Sequence, residues 1–163
     1  MTQAFSLTAA STTPAEGMYA YMPNKPHVHN AKFYSGTSTD TVTAGSFVKL
    51  YGSSTSTTQP VVAACAVTDI PYGMVVYDAV KNVHGVGDLV ALAQTGDSVF
   101  LVAAGAIAVG AKLQFNASTR KVDDSTTATY AYIGVAETAA AAEGDFVQVK
   151  LDFGLGVAES PST

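Results

Sequence analysis

From Phe33 onward the chain alternates short apolar runs with polar breaks. Runs rich in Val, Phe and Tyr recur at roughly the 8–12-residue spacing of sandwiches and barrels, each closed by Gly, Asp or Ser. The pattern predicts about ten short strands. They fall at Phe47–Tyr51, Val61–Val67, Gly73–Tyr77, Leu89–Ala93, Val99–Val102, Ile107–Val109, Lys112–Phe115, Tyr130–Ala136 and Phe146–Phe153. No proline occurs between Tyr72 and Ser160. Proline cannot donate to a ladder hydrogen bond, so this stretch suits central strands and places the sheet core in the second half. Ser53–Thr58 and Asp123–Thr129 read as loops.

One device recurs: a glycine, a small or acidic residue, then an alternating apolar run. It appears at Gly45-Ser46-Phe47-Val48, Gly87-Asp88-Leu89-Val90 and Gly144-Asp145-Phe146-Val147, with a looser copy at Gly110-Ala111-Lys112-Leu113. Positive φ is cheap at glycine, so each copy predicts a tight turn feeding a strand. The unequal intervals exclude a fixed-period solenoid. Asp88, Asp97 and Asp145 sit beside these glycines and are expected to bond their own backbone. Thr138–Glu143, the one segment of high helix propensity, is long enough only for a connector.

Residues 1–32 carry Pro14, Pro23 and Pro26 and sustain no hydrophobic period, which reads as an extended arm. The expected organisation is an arm over 1–32, a β-barrel-like domain over 33–153 and a tail over 154–163. The arm is too apolar for an ordinary solvated tail. Phe5, Leu7, Met18, Tyr19, Tyr21 and Met22, with Pro23 and Pro26, are therefore the expected contact residues. The arm's own domain and a neighbouring subunit or larger assembly are equally good resting places. Deleting residues 1–30 is expected to leave a folded β domain.

Composition narrows the functions. The 163 residues suit one domain, and hydrophobic residues make up 48% while charged ones make up 13%, about half the usual share. Most side chains are small or β-branched and Trp is absent, which favours an all-β fold, a compact barrel or sandwich. A net charge of −5 and a single arginine, Arg120, offer no basic footprint, so nucleic acid is excluded as a partner. The one cysteine, Cys65, cannot close an intrachain disulfide. The first 24 residues contain no Lys or Arg, so no secretory signal is expected. The most apolar stretch, Ser98–Ala111, falls short of the roughly 18–20 residues of a spanning helix, so no membrane is expected either.

Catalytic constellations find little support. His27 and His29 share one face of an extended chain and could hold a metal if His84 or an Asp joined them, but no carboxylate is spaced to complete the set. They read as surface histidines. Asp123 and Asp124 are adjacent, hence on opposite faces of a strand, and do not converge. Cys65 lies inside an apolar run and reads as an inert small hydrophobe. Gly85-Val86-Gly87 lacks the third glycine and the helix of a dinucleotide turn, and no Gly-x-Ser-x-Gly elbow occurs. No enzyme, cofactor or metal site is expected.

Pro71-Tyr72-Gly73-Met74-Val75-Val76, Gly87-Asp88-Leu89-Val90, Phe100-Leu101-Val102-Ala103-Ala104-Gly105-Ala106-Ile107 and Val109-Gly110-Ala111-Lys112-Leu113 follow in order. Tyr132–Val149 closes the series with an Ala-rich connector and a Gly-Asp-x-Val-x-Val strand. In this order, over about residues 70–152, the chain resembles the decoration, or cement, proteins of tailed-bacteriophage heads. The resemblance implies a compact β-barrel that trimerises on the major capsid protein shell, assembled in the bacterial host cytoplasm and resident on the virion surface. Residues 1–32 carry no part of it. A carbohydrate- or cell-surface-binding β-sandwich module of a fibre or adhesin is the alternative. It would use Tyr51, Tyr72 or Tyr77 as platforms in place of Trp.

Overall fold

The computed structural model describes residues 14–20, 29–52, 59–124 and 130–155. These form twelve strands and no α-helix. They are β1 (His29–Phe33), β2 (Thr41–Thr43), β3 (Phe47–Leu50), β4 (Val61–Ala64), β5 (Gly73–Val75) and β6 (Val83–Gly85). The second half holds β7 (Leu89–Ala93), β8 (Ser98–Val102), β9 (Lys112–Phe115), β10 (Val122–Asp124), β11 (Ala131–Ala136) and β12 (Phe146–Leu155).

The fold is all-β and has two main parts. Strands β1-β4-β3-β5-β7 close into a barrel, and β10-β9-β11-β12-β8 form a five-stranded sheet; β2 and β6 pair separately. Strand β1 closes the barrel, lying parallel to β4 with Phe33 opposite Val62 and antiparallel to β7 with Ala31 opposite Val90.

Successive strand residues face opposite sides, and here both sides are used. Val48, Val75 and Leu92 point into the barrel with Ala31, Phe33, Val62 and Val90. Their neighbours Phe47, Met74 and Ala93 point outward into a second cluster with Leu101, Leu113, Ile133 and Val149 of the five-stranded sheet. Strands β3, β5 and β7 thus form a wall shared by two cores. Double burial explains why Gly73-Met74-Val75 is apolar without alternation.

The glycine device is a repeated turn. Asp88, Asp97 and Asp145 each return their amide to the carbonyl three residues back (3.0–3.3 Å) and accept an amide from the same turn on the side chain. Positive φ occurs at the preceding Gly87, Gly96 and Gly144. Asp69 makes the same closure without glycine, accepting the Ala66 amide at 2.7 Å. A different glycine sets the register of the sheet. At Gly134 in β11 the pairing slips against both β12 and β9, and a Cβ there would lie 2.2 Å from the Lys150 carbonyl oxygen.

Strands β7 and β9 occupy the expected spans. Strand β1 begins inside the segment read as arm, so deleting residues 1–30 would cut His29 and Asn30 from the barrel. Strands β2, β6 and β10 are three-residue elements with polar members, too short for a hydrophobic period. Strand β10 takes Asp123 and Asp124 out of the expected second loop. The expected strand Ile107–Val109 reduces to one bridge, Ile107 with Ala140, because the chain turns at Gly110. Ala140 therefore lies in the connector as a bridged extended residue rather than in a helical turn. The Ser53–Thr58 loop lies outside the described residues.

Candidate functional site

An exposed β-edge is a template for unwanted pairing, so both margins of the five-stranded sheet matter. At one margin the chain leaving β8 bends so that Ala103 pairs in parallel with Val122, and the Ala104 amide reaches the Val122 carbonyl at 2.7 Å. This covers β10. At the other, the arm covers the outer half of β8. The Gly17 amide donates to the Phe100 carbonyl, the Phe100 amide to the Met18 carbonyl and the Ala20 amide to the Ser98 carbonyl, all at 2.8 Å. Tyr19 bridges Val99 and packs on the sheet core.

Of the expected contact residues, the structure brings Met18 and Tyr19 together at this edge. Met18 is exposed and Tyr19 is turned inward. Burial, followed by the charge of Asp97, pushes the Tyr19 hydroxyl up to about 12. Phe5, Leu7, Tyr21, Met22, Pro23 and Pro26 lie outside the described residues. The described part of the arm, Pro14–Ala20, rests on its own domain.

The arm is anchored where the two halves meet. Gly17 (φ 77°) and Gly45 (φ 79°) touch so closely that a Cβ on Gly17 would lie 2.6 Å from the Gly45 nitrogen. A Cβ on Gly45 would lie 2.5 Å from Cγ of Glu16. Beside them the Arg120 guanidinium, carried on a turn at φ 58°, donates to Thr43 Oγ1. Glu16 is held above the usual carboxylate range by burial, which the charge of Arg120 partly offsets. Arg120 lines two hollows. One is a polar cleft of about 270 Å³ that includes Ala15, Glu16, Tyr77 and Asn82. The other is a slot of about 160 Å³ whose wall mixes Phe47, Cys65 and Phe115 with Thr41, Ser46 and Arg120 itself. The single arginine was the available signal for this junction; its partners lie too far off in sequence to be paired with it by pattern.

A second exposed feature sits at the barrel end. The rings of Tyr34 and Tyr51 meet at 4.6 Å, tilted by 47°, next to the exposed Leu50. Tyr51 was expected as a platform; Tyr34 was not, because it directly follows β1.

The residues considered for chemistry stand apart. Among the described residues no three His, Cys, Asp or Glu gather to hold a metal. His29 opens β1 on the surface, His84 is buried in β6, and His27 lies outside the described residues. Burial raises the Cys65 thiol to about 12, with Asp69 adding to the shift and Lys49 opposing it. Asp123 and Asp124 are exposed on β10, where Asp123 Oδ1 accepts the Asp124 amide at 2.9 Å.

The family model described as phage cement protein matches residues 28–151. The match begins at β1 and so takes in the whole barrel, beyond the stretch that carried the resemblance in sequence. Among solved structures, the N base of head fiber gp8.5 of bacteriophage phi29 superimposes with a TM-score of 0.51 at 19% identity, covering 77% of this chain and 92% of that one. At that identity the likeness is one of fold. No curated protein matches the chain.

Proposed function

The chain belongs to the phage cement protein family, and we propose that it binds the outer surface of a tailed-phage capsid and stabilises the shell without catalysis. It is a structural, capsid-associated protein. The observation that supports the proposed mode of action is the added backbone pairing at both margins of the five-stranded sheet, at Val122 of β10 and along Ser98–Phe100 of β8, beside a closed barrel. A protein that meets many identical sites must not pair with itself through free edges, and closure removes that route. Contact is then left to side chains.

The contact residues in this reading are those of the arm: Met18 and Tyr19 at the β8 edge, with Phe5, Leu7, Tyr21, Met22, Pro23 and Pro26. Aromatic groups supply contact area at low entropy cost, and prolines limit the freedom lost on docking. The partner is the major capsid protein shell, the protein acts as a homotrimer, and it assembles on the virion surface in the host cytoplasm. The test is co-sedimentation of the full chain with shells lacking it, followed by imaging of the particles. Saturable decoration is expected, weakened when Met18, Tyr21 and Met22 are together replaced by Ser. Undecorated shells at saturating protein would refute the reading.

The Tyr34–Tyr51 pair favours a second reading, a glycan- or surface-binding module. Paired rings at the surface, Tyr34 exposed and Tyr51 half-buried, can stack on sugar faces. Binding on a glycan array that is lost in Tyr34→Ala would support it.

A further inference from the structure

We propose that the polar cleft at the arm junction is a binding site for a carboxylate, the acidic side chain of a partner protein, with Arg120 as its anchor. Three observations lead there.

The first is an uncommitted guanidinium. Lys49, Lys81 and Lys121 each pair with a carboxylate. Among the described residues Arg120 donates from Nη1 to Thr43 and forms no ion pair. Glu16 feels its charge without receiving a hydrogen bond from it. A guanidinium presents its N–H donors as a rigid fork that matches a carboxylate, and most of this fork is left for a ligand.

The second is a fixed frame. Arg120 sits at φ 58° with its amide on the Asn116 carbonyl at 2.7 Å. Tyr77, another wall residue, donates its amide to the Gly17 carbonyl at 3.0 Å, and Gly17 is locked against Gly45. The cleft of about 270 Å³ is therefore walled by parts already tied to one another. Little freedom remains to be lost on binding.

The third is an apolar rim. Thr43 and Val83 lie opposite each other in β2 and β6, so their side chains share one face of that ribbon, while Val42 and His84 are buried on the other. Thr43 holds Arg120, which puts the exposed Val83 beside the guanidinium. Tyr77, also exposed, is part of the wall. A cation flanked by apolar groups fits an Asp or Glu set next to an apolar residue on a protein segment better than a small hydrated acid. Phosphate fits worse. Its sites gather several cations, whereas among the described lining residues Arg120 is the only cation and Glu16 is an acid.

The site belongs to the isolated chain, so its test involves no capsid and its failure leaves the shell reading standing. The probes are acetyl-Leu-Glu-Leu-amide, its neutral counterpart with Gln for Glu, sodium acetate and inorganic phosphate, each titrated into isotope-labelled full-length protein and followed by NMR. Saturable shifts from the acidic peptide are expected at the amides of Thr43, Asn82 and Val83 and at Arg120 Nε–H. The Gln peptide should bind about tenfold more weakly, as the loss of a charged hydrogen bond implies. Acetate and phosphate should also bind more weakly. Arg120→Gln should abolish the shifts. Glu16→Gln, which removes the competing charge from the wall, should tighten binding of the acidic peptide several-fold at fixed neutral pH and leave the Gln peptide unchanged. Equal response to both peptides, no saturable response, shifts that survive Arg120→Gln, binding unmoved by Glu16→Gln, or acetate or phosphate binding as tightly as the acidic peptide would each overturn the proposal.

Discussion

Gly17 and Gly45 meet with no room for a side chain between them, 28 positions apart in sequence and both at positive φ. The contact ties the arm to the β2–β3 turn and positions Met18 and Tyr19 on β8.

Gly17→Ala adds a Cβ against backbone atoms at an unfavourable φ, and should cost roughly 1–3 kcal/mol. The loss should be local first. The amide of Phe100, which donates to Met18, should lose hydrogen-exchange protection while that of Leu113 keeps it. Unchanged protection at Phe100 would refute the anchoring role.

Gly134→Ala should be more damaging, because the Cβ would collide with the Lys150 carbonyl in the middle of the sheet. Overpacking of this kind costs roughly 3 kcal/mol. Urea unfolding should show a lowered midpoint at an unchanged slope.

Tyr19→Phe keeps the ring on the core and removes a buried hydroxyl with no hydrogen-bond partner among the described residues. Stability should hold or rise by about 1 kcal/mol. Tyr19→Ala removes the ring as well and should cost about 3 kcal/mol. A Tyr19→Phe variant as unstable as Tyr19→Ala would disprove this assignment.

Acid should weaken the fold through two turn carboxylates. A hydrogen bond from Lys81 (2.7 Å), then one from the Gly85 amide, holds Asp88 below the usual carboxylate range. At Asp69 burial pushes upward, but the Lys49 hydrogen bond and ion pair and the Ala66 amide outweigh it. A carboxylate depressed by folding stabilises above its unfolded pKa, and the contribution fades as pH falls through the folded value. Stability should therefore be flat near neutrality and decline below about pH 4. Asp88→Asn should flatten that decline when denaturation midpoints are compared across the acid range.

The strands that showed in the sequence are those whose signal is local. Gly87-Asp88 and Gly144-Asp145 announce their turns because the glycine φ and the aspartate bond are satisfied within four residues. Strand β1 was hidden for the opposite reason. In His29-Asn30-Ala31-Lys32-Phe33 only Ala31 and Phe33 face the barrel, and Pro23 and Pro26 just upstream gave the stretch the look of an arm. Its partners, β4 and β7, are known only once the chain has closed. The junction of Glu16, Gly17, Gly45 and Arg120 was equally out of reach, since nothing local pairs the lone arginine or Gly45 with partners so far off in sequence. Met18 and Tyr19 stood out in sequence by their type, but the β8 edge along which they lie could not be read there.

The shared wall of β3, β5 and β7 has a mechanical consequence. Phe47 and Val48, Met74 and Val75, Leu92 and Ala93 are covalent neighbours that belong to different cores. Neither half can peel away without baring the other's interior, so heat, denaturant or force should find one transition rather than two. A fastener gripped on one half and pulled from the other would fail only as a whole.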